Sequence, residues 1–235
     1  MDNILDLTTS FSQSINENAQ SILSEVAEIG IDSILDEGLL KEIPLVSTVI
    51  SLYKIGTNIH ERHYLKKLYV FIEEINNHTA NDEEREFYKE RIKSRPNKEL
   101  EYILILIDRY LDYYKPRILA ALYMSYLDYK ISRDLFTEYA EIIDRLLMSD
   151  FVSLCEFMFH GGINSEEKKN DIASVLRLQS VGLVENIGGI PVTIVGGNET
   201  AGPSAAFDYK TTDFGKCFIS LLNKELREIY ESQKF

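Results

Sequence analysis

The chain has 235 residues, 45% of them hydrophobic and 27% charged, which excludes a wholly disordered chain, a collagen-like repeat and a small disulfide scaffold. Its 38 acids against 25 bases leave a formal charge of −13, the wrong overall field for non-specific nucleic-acid binding, which rests on phosphate neutralisation. Two cysteines, Cys155 and Cys217, sit in apolar surroundings and read as reduced core residues of a cytoplasmic protein; no basic segment followed by an apolar one at the N-terminus directs export.

Residues 1–42 hold nine acids and one base, with Ile22, Val26, Ile29, Ile34 and Leu35 at helical spacing. That pattern predicts an acidic amphipathic helix closing near Gly38. The window 43–59 is the most apolar of the chain, and Pro44 suits the first turn of a helix, where its missing N–H has no acceptor anyway. Its residues Leu45, Val46, Val49, Ile50 and Tyr53 fit either a buried central helix or one that docks on a membrane or partner. A spanning helix needs ~20 apolar residues, and Ser47, Thr48, Ser51, Lys54, Thr57 and Asn58 interrupt this one. The buried helix is therefore the expected outcome, and membrane contact is not expected.

Helices follow over 58–75, from Asn81 through a basic end that Pro96 stops, over 99–114, and over 117–129, with Pro116 as the break. Leu111 belongs to the apolar stripe of the third of these. Ser132 caps a further helix with Leu135, Tyr139, Ile142, Ile143 and Leu146 as its stripe. Eight of the 14 tyrosines lie between Tyr102 and Tyr139; they read as the rim of a helical core whose hydroxyls reach water, with a stacking platform or interface as the functional alternative.

Nine of the 12 glycines lie beyond residue 160, so the purely helical regime ends there. Helices are predicted over 151–160 and 165–180, a strand beginning within 181–185, strand composition over 191–195 and 205–211, and a last helix from Thr212 to about Ser232. The expected fold is mainly α: an N-terminal helical bundle over residues 1–148, then a C-terminal α+β domain over residues 149–235.

That C-terminal domain resembles a winged helix. Leu176-Arg-Leu-Gln-Ser-Val-Gly-Leu-Val184 matches the passage from the second helix into the wing, and Tyr209-Lys-Thr-Thr-Asp-Phe-Gly215 with Phe218 matches the exit into a final helix. Thr211 departs from the pattern, standing where a large aliphatic is usual. Winged helices often bind DNA, and the bases available for it or for a partner are Lys168, Lys169 and Arg177. Residues 151–235 hold eight bases against 11 acids, and the turn Gly196-Gly-Asn-Glu-Thr-Ala-Gly202 carries no base, which favours protein docking over DNA. The N-terminal part resembles bacterial abortive-infection (Abi-alpha-like) proteins through Ile43–Gly56, Arg62–Leu68, Asp108–Leu111 and Ile131–Phe136, implying a role in anti-phage defence or stress.

Catalytic patterns are sparse. His60-Glu-Arg-His63 spaces its histidines three apart, whereas the zinc-protease helix spaces them four apart. No phosphate loop, dinucleotide fingerprint or nucleophile elbow occurs. The expectation is a non-enzymatic cytoplasmic protein without cofactor or metal, working through a protein partner or self-association. A DNA-binding regulator and a membrane-acting effector that releases residues 43–59 are the alternatives.

Overall fold

The computed structural model describes residues 7–16, 19, 21, 39–53, 58–79, 81–160, 163–164, 172–187 and 208–232. The chain divides into two compact units, Met1–Asp144 and Arg145–Phe235, so the division falls just before the expected residue 148. The acidic amphipathic helix expected over 22–35 lies outside the described residues.

In the first unit, helix α1 (Leu7–Gln13) is followed by a 3-10 turn (Leu39–Glu42) and by α2 (Pro44–Tyr53), α3 (Ile59–Asn77), α4 (Asp82–Lys93), α5 (Asn97–Arg109), α6 (Tyr114–Leu127) and α7 (Arg133–Arg145). Asn58 and Asn81 begin α3 and α4 as N-caps, each accepting from a backbone N–H in the first turn, from Glu61 and Glu84 respectively. Pro116 does not break a helix. The break lies earlier, because Asp112 Oδ1 accepts from the N–H groups of Tyr114 and Lys115 and starts α6 there. Pro116 then falls in the first turn, where its lost N–H costs nothing. At the other end, Tyr129 takes the left-handed conformation with φ 57°, and Lys130 N donates back to Ser125 O. The Tyr129 ring lies against the Arg91 guanidinium, which also covers Phe87.

The core of this unit is an aromatic chain. Phe11, Phe71 and Tyr123 meet at centroid distances of 5.8–6.5 Å, and Phe136 joins through Tyr123 and Tyr126. The tyrosines of 102–139 form a water-facing rim only in part: Tyr113 and Tyr129 are exposed and Tyr102 and Tyr114 half-buried, while the other four turn inward. Tyr110, Tyr123, Tyr126 and Tyr139 are buried, and the hydroxyls of Tyr123 and Tyr126 donate to the buried Glu99 carboxylate instead of to solvent. The Glu99 charge is balanced by Arg95 and Arg133, both within 4.0 Å, as a buried acid requires.

The second unit runs α8 (Met148–His160), β1 (Ile163–Asn164), α9 (Ile172–Ser180), β2 (Val184–Asn186), β3 (Asp208–Thr211), α10 (Asp213–Leu221) and α11 (Asn223–Ser232). The strands form an antiparallel sheet in the order β1-β3-β2, with Val184 opposite Thr211 and Ile163 opposite Tyr209. The sequence pattern missed β1: two residues are too few to show alternation. It also joined α10 and α11, which separate at Leu222 (φ −117°, ψ 20°), where the side chain turns fully into the core. The strand composition at 191–195 lies outside the described residues.

Gly182, at φ 77°, makes the turn from α9 into β2 that a side chain would strain. Leu183 and Phe218 are both fully buried. Leu183→Ala and Phe218→Ala are each expected to destabilise this unit by ~2–5 kcal/mol, measured by chemical denaturation. Wild-type stability in either variant would show that the side chain does not belong to the core.

Candidate functional site

Of the three bases singled out in the C-terminal unit, Lys168 and Lys169 lie outside the described residues. Arg177 sits on α9 and is committed. Its Nε donates to both oxygens of Asp150, at 3.0 and 2.9 Å, and its Nη2 to Oδ1 at 2.6 Å. Asp150 is fully buried and also accepts the Leu147 N–H at the start of α8. The pair fastens α9 to α8, and Arg177 Nη2 reaches Ser174 Oγ as well. A bidentate guanidinium of this kind has little charge left for a phosphate.

The fully exposed positions of α9 are uncharged, and the Arg177 side chain is 37% exposed. Ser174, Val175 and Leu178 point into the core, while Ile172, Ala173, Leu176, Gln179 and Ser180 are exposed. Leu176 is 51% exposed, and Ile187, just beyond β2, is also 51% exposed. A helix that reads DNA places bases on this outward face; here its exposed positions are apolar or neutral polar, and the one base is engaged by Asp150.

The residues of the 43–59 window lie in the first unit, where Leu45, Val46 and Val49 are fully buried and Ile50 half-buried; the Tyr53 side chain and Lys54 lie outside the description. Leu45 N donates to Ser14 Oγ at 2.9 Å, satisfying one of the free N–H groups at the start of α2. Thr48 Oγ1 donates to Ser10 Oγ at 2.8 Å. The polar residues that interrupt the apolar run are thus partly inward contacts with α1.

A second surface emerges where the start of α3 meets the end of α5. A cleft of about 260 Å³ is lined by His60, Glu61, Tyr64, Leu104, Ile105, Asp108 and Arg109. The two histidines of the His60-Glu-Arg-His63 run take separate partners. His60 Nε2 approaches Asp108 Oδ1 at 3.6 Å, whereas His63 Nδ1 meets Tyr113 Oη at 2.7 Å and Nε2 meets Leu111 O at 3.2 Å. Below them, the buried Lys67 donates from Nζ to Asp108 O and Tyr110 O, both at 2.6 Å. Burial holds its ammonium below the ordinary lysine range, against the pull of Asp108 and Asp112. Leu111 is not part of a helical stripe. It follows the end of α5 and stands 88% exposed.

Elsewhere in the C-terminal unit, Cys155 is buried and donates from Sγ to Leu226 O. Burial pushes its thiol up to about 12, so it carries no thiolate at neutral pH. In comparisons with known protein families, with characterised proteins and with solved structures, the chain matches none.

Proposed function

We propose that this protein is a non-enzymatic interaction protein whose C-terminal unit is a winged helix used for protein docking or assembly, within a bacterial anti-phage defence or stress system. The observation that carries the docking reading is the outward face of α9, with Ile172 and Leu176 exposed and the helix's one base held by Asp150. The winged-helix reading is supported by the element order helix, strand, helix, strand, strand, helix, followed by the further helix α11, and by the β1-β3-β2 sheet. The defence setting rests on the resemblance of residues 43–56, 62–68, 108–111 and 131–136 to abortive-infection proteins. Against the membrane-effector alternative stand the burial of Leu45, Val46 and Val49 and the hydrogen bonds that tie α2 to α1.

The test places a photo-crosslinking amino acid at position 176 of the full chain in its host cells. One recurrent protein adduct is expected, lost when Ile172 is replaced by Asp. Nucleic-acid adducts would overturn the docking reading. In parallel, titration with a short duplex is expected to give no binding above background at low salt. A measurable affinity whose logarithm falls with log salt at a slope of about three, the signature of some three phosphate contacts, would establish the DNA regulator instead.

A further inference from the structure

The cleft between α3 and α5 is independent of the winged-helix reading, and its surroundings specify a ligand. Its floor is apolar: Tyr64 and Leu104 are buried there and Ile105 is 56% exposed. Further large apolar groups stand at the same end of the unit. Ile59 opens α3 at 88% exposure, and Leu111 and Tyr113, held by His63, are 88% and 40% exposed. Exposed apolar side chains gathered around a concavity mark an interaction site; scattered singly they mark nothing.

The segment that displays Leu111 is not slack. Lys67 holds the carbonyls of Asp108 and Tyr110, His63 holds Leu111 O and Tyr113 Oη, and Asp112 holds the N–H groups that begin α6. A connection tied at every residue, yet presenting a leucine to water, is organised before any partner arrives. Such preorganisation removes the ordering cost that usually weakens binding.

The charges choose the partner. Arg109, which would oppose a cation, pairs with Asp144. Asp108 lines the cleft with its side chain 48% exposed; it lies 3.6 Å from the His60 ring, and its charge also acts on the buried Lys67 ammonium. Glu61 adds a second acid to the wall, its carboxylate also accepting the Asn58 N–H of the α3 cap, in a chain of formal charge −13. The geometry points to a basic amphipathic segment of a protein partner as the occupant. One of its large apolar side chains enters between Tyr64, Leu104 and Ile105, and an adjacent Lys or Arg faces Asp108. A second copy of this chain, carrying the same negative charge, is the wrong partner.

The probe is a synthetic amphipathic helix of Leu and Lys, roughly 14 residues or four turns long, compared with its Leu and Glu counterpart. By fluorescence anisotropy the Leu/Lys peptide is expected to bind the full chain and the Leu/Glu peptide to bind at least about tenfold more weakly. Ile105→Asp and Leu111→Asp change exposed positions, so both variants should retain the wild-type circular dichroism and melt. Each is expected to weaken the Leu/Lys peptide by about tenfold or more, the usual scale for an apolar anchor. Asp108→Lys should weaken it comparably, and Ser220→Asp, an exposed position of the other unit, should leave it unchanged. Absence of binding to the wild type overturns the inference. So does equal binding by all variants, which would mean attraction to the general acidity of the chain. Self-association abolished by Leu111→Asp would assign the cleft to a second copy instead.

Discussion

Arg177→Ala is expected to destabilise the C-terminal unit by about 2–4 kcal/mol. That is less than the full cost of breaking a buried ion pair, because the Asp150 carboxylate is buried but the guanidinium it loses is 37% exposed. Asp150 is fully buried and takes three hydrogen bonds from the guanidinium. With Arg177 gone, its carboxylate keeps the Leu147 N–H but stands in a site that excludes water. The charge has no compensation there, and desolvation outweighs the one remaining bond. Arg177→Lys should recover only part of the loss, because an ammonium cannot reproduce the two-pronged geometry. Adding Asp150→Asn to Arg177→Ala removes the stranded charge and keeps an acceptor for Leu147, so the double variant should be more stable than Arg177→Ala alone. Denaturation curves for the four proteins check this, with hydrogen exchange in α8 and α9 locating the effect. If Arg177→Ala melts like wild type, the pair does not hold the unit together. Arg177 would then be free for a phosphate or a partner.

This pair shows where sequence reading stops. From the sequence, Arg177 is a base on a helix beside other charges, and its separation of 27 residues from Asp150 carries no periodic signal. Whether it faces a phosphate or a buried carboxylate is decided by the packing of α9 on α8, which local pattern does not encode. The helices themselves were far more legible. Ser132 announces an N-cap because a short polar side chain at a helix start has one evident use, and the starts expected at Asn58, Asn81 and Thr212 prove to be N-caps as well, each accepting a first-turn N–H. The ends were less legible. Pro116 looked like a break and Leu111 like part of a stripe, since α5 already ends at Arg109 with Tyr110 as its C-cap and the residue that starts α6 is the inconspicuous Asp112. Its side chain satisfies the backbone as readily as any cap. The separation of α10 from α11 had no signal at all, because Leu222 is as good a helix former as its neighbours.

The tyrosines and the cleft teach a related lesson. Tyr123 and Tyr126 were expected to reach water because a phenolic hydroxyl must be satisfied. The structure satisfies them with Glu99, an acid that a linear reading leaves on the surface. The cleft had a faint signal in His60-Glu-Arg-His63, but as a metal motif its spacing fails. Its meaning lies in what the two rings touch across the helix pair, Asp108 on one side and the 111–113 segment on the other. Across both units most helix starts, which are set within about four residues, were legible, Asp112 apart, and the contacts that bring distant polar side chains together were not.

Gly215→Ala tests the tightest approach in the C-terminal unit. A Cβ placed on Gly215 would lie 2.0 Å from the carbonyl oxygen of Leu183 and 2.8 Å from its carbonyl carbon. Neither atom can swing aside, because both are backbone. The same oxygen accepts the Thr212 N–H at 3.1 Å, and Thr212 Oγ1 bonds Gly182 O at 2.7 Å while accepting the Gly215 N–H at 2.9 Å. Moving α10 outward to admit a methyl group therefore strains the cap that begins this helix and the point where β2 meets β3. Helix propensity pulls the other way, since alanine is favoured over glycine in a helix by about 1 kcal/mol. Overpacking against fixed atoms costs about 3 kcal/mol, so a net loss of about 2 kcal/mol is expected. Gly182→Ala is the natural comparison. Its Cβ would meet nothing within 4 Å, and its penalty comes from the φ of 77° alone, about 1–2 kcal/mol for a side chain in the left-handed region. The two substitutions thus give similar losses by different routes, and a second change separates them. Enlarging further to valine should raise the cost at Gly215 by another 1 kcal/mol or more, roughly the added effect of methyl groups pressed on backbone. Replacing Gly182 by Asn, which tolerates that conformation, should restore most of the loss there. Neutral behaviour of Gly215→Ala in denaturation would mean that α10 does not close against Leu183, and the chain's exit from β3 would need a different register.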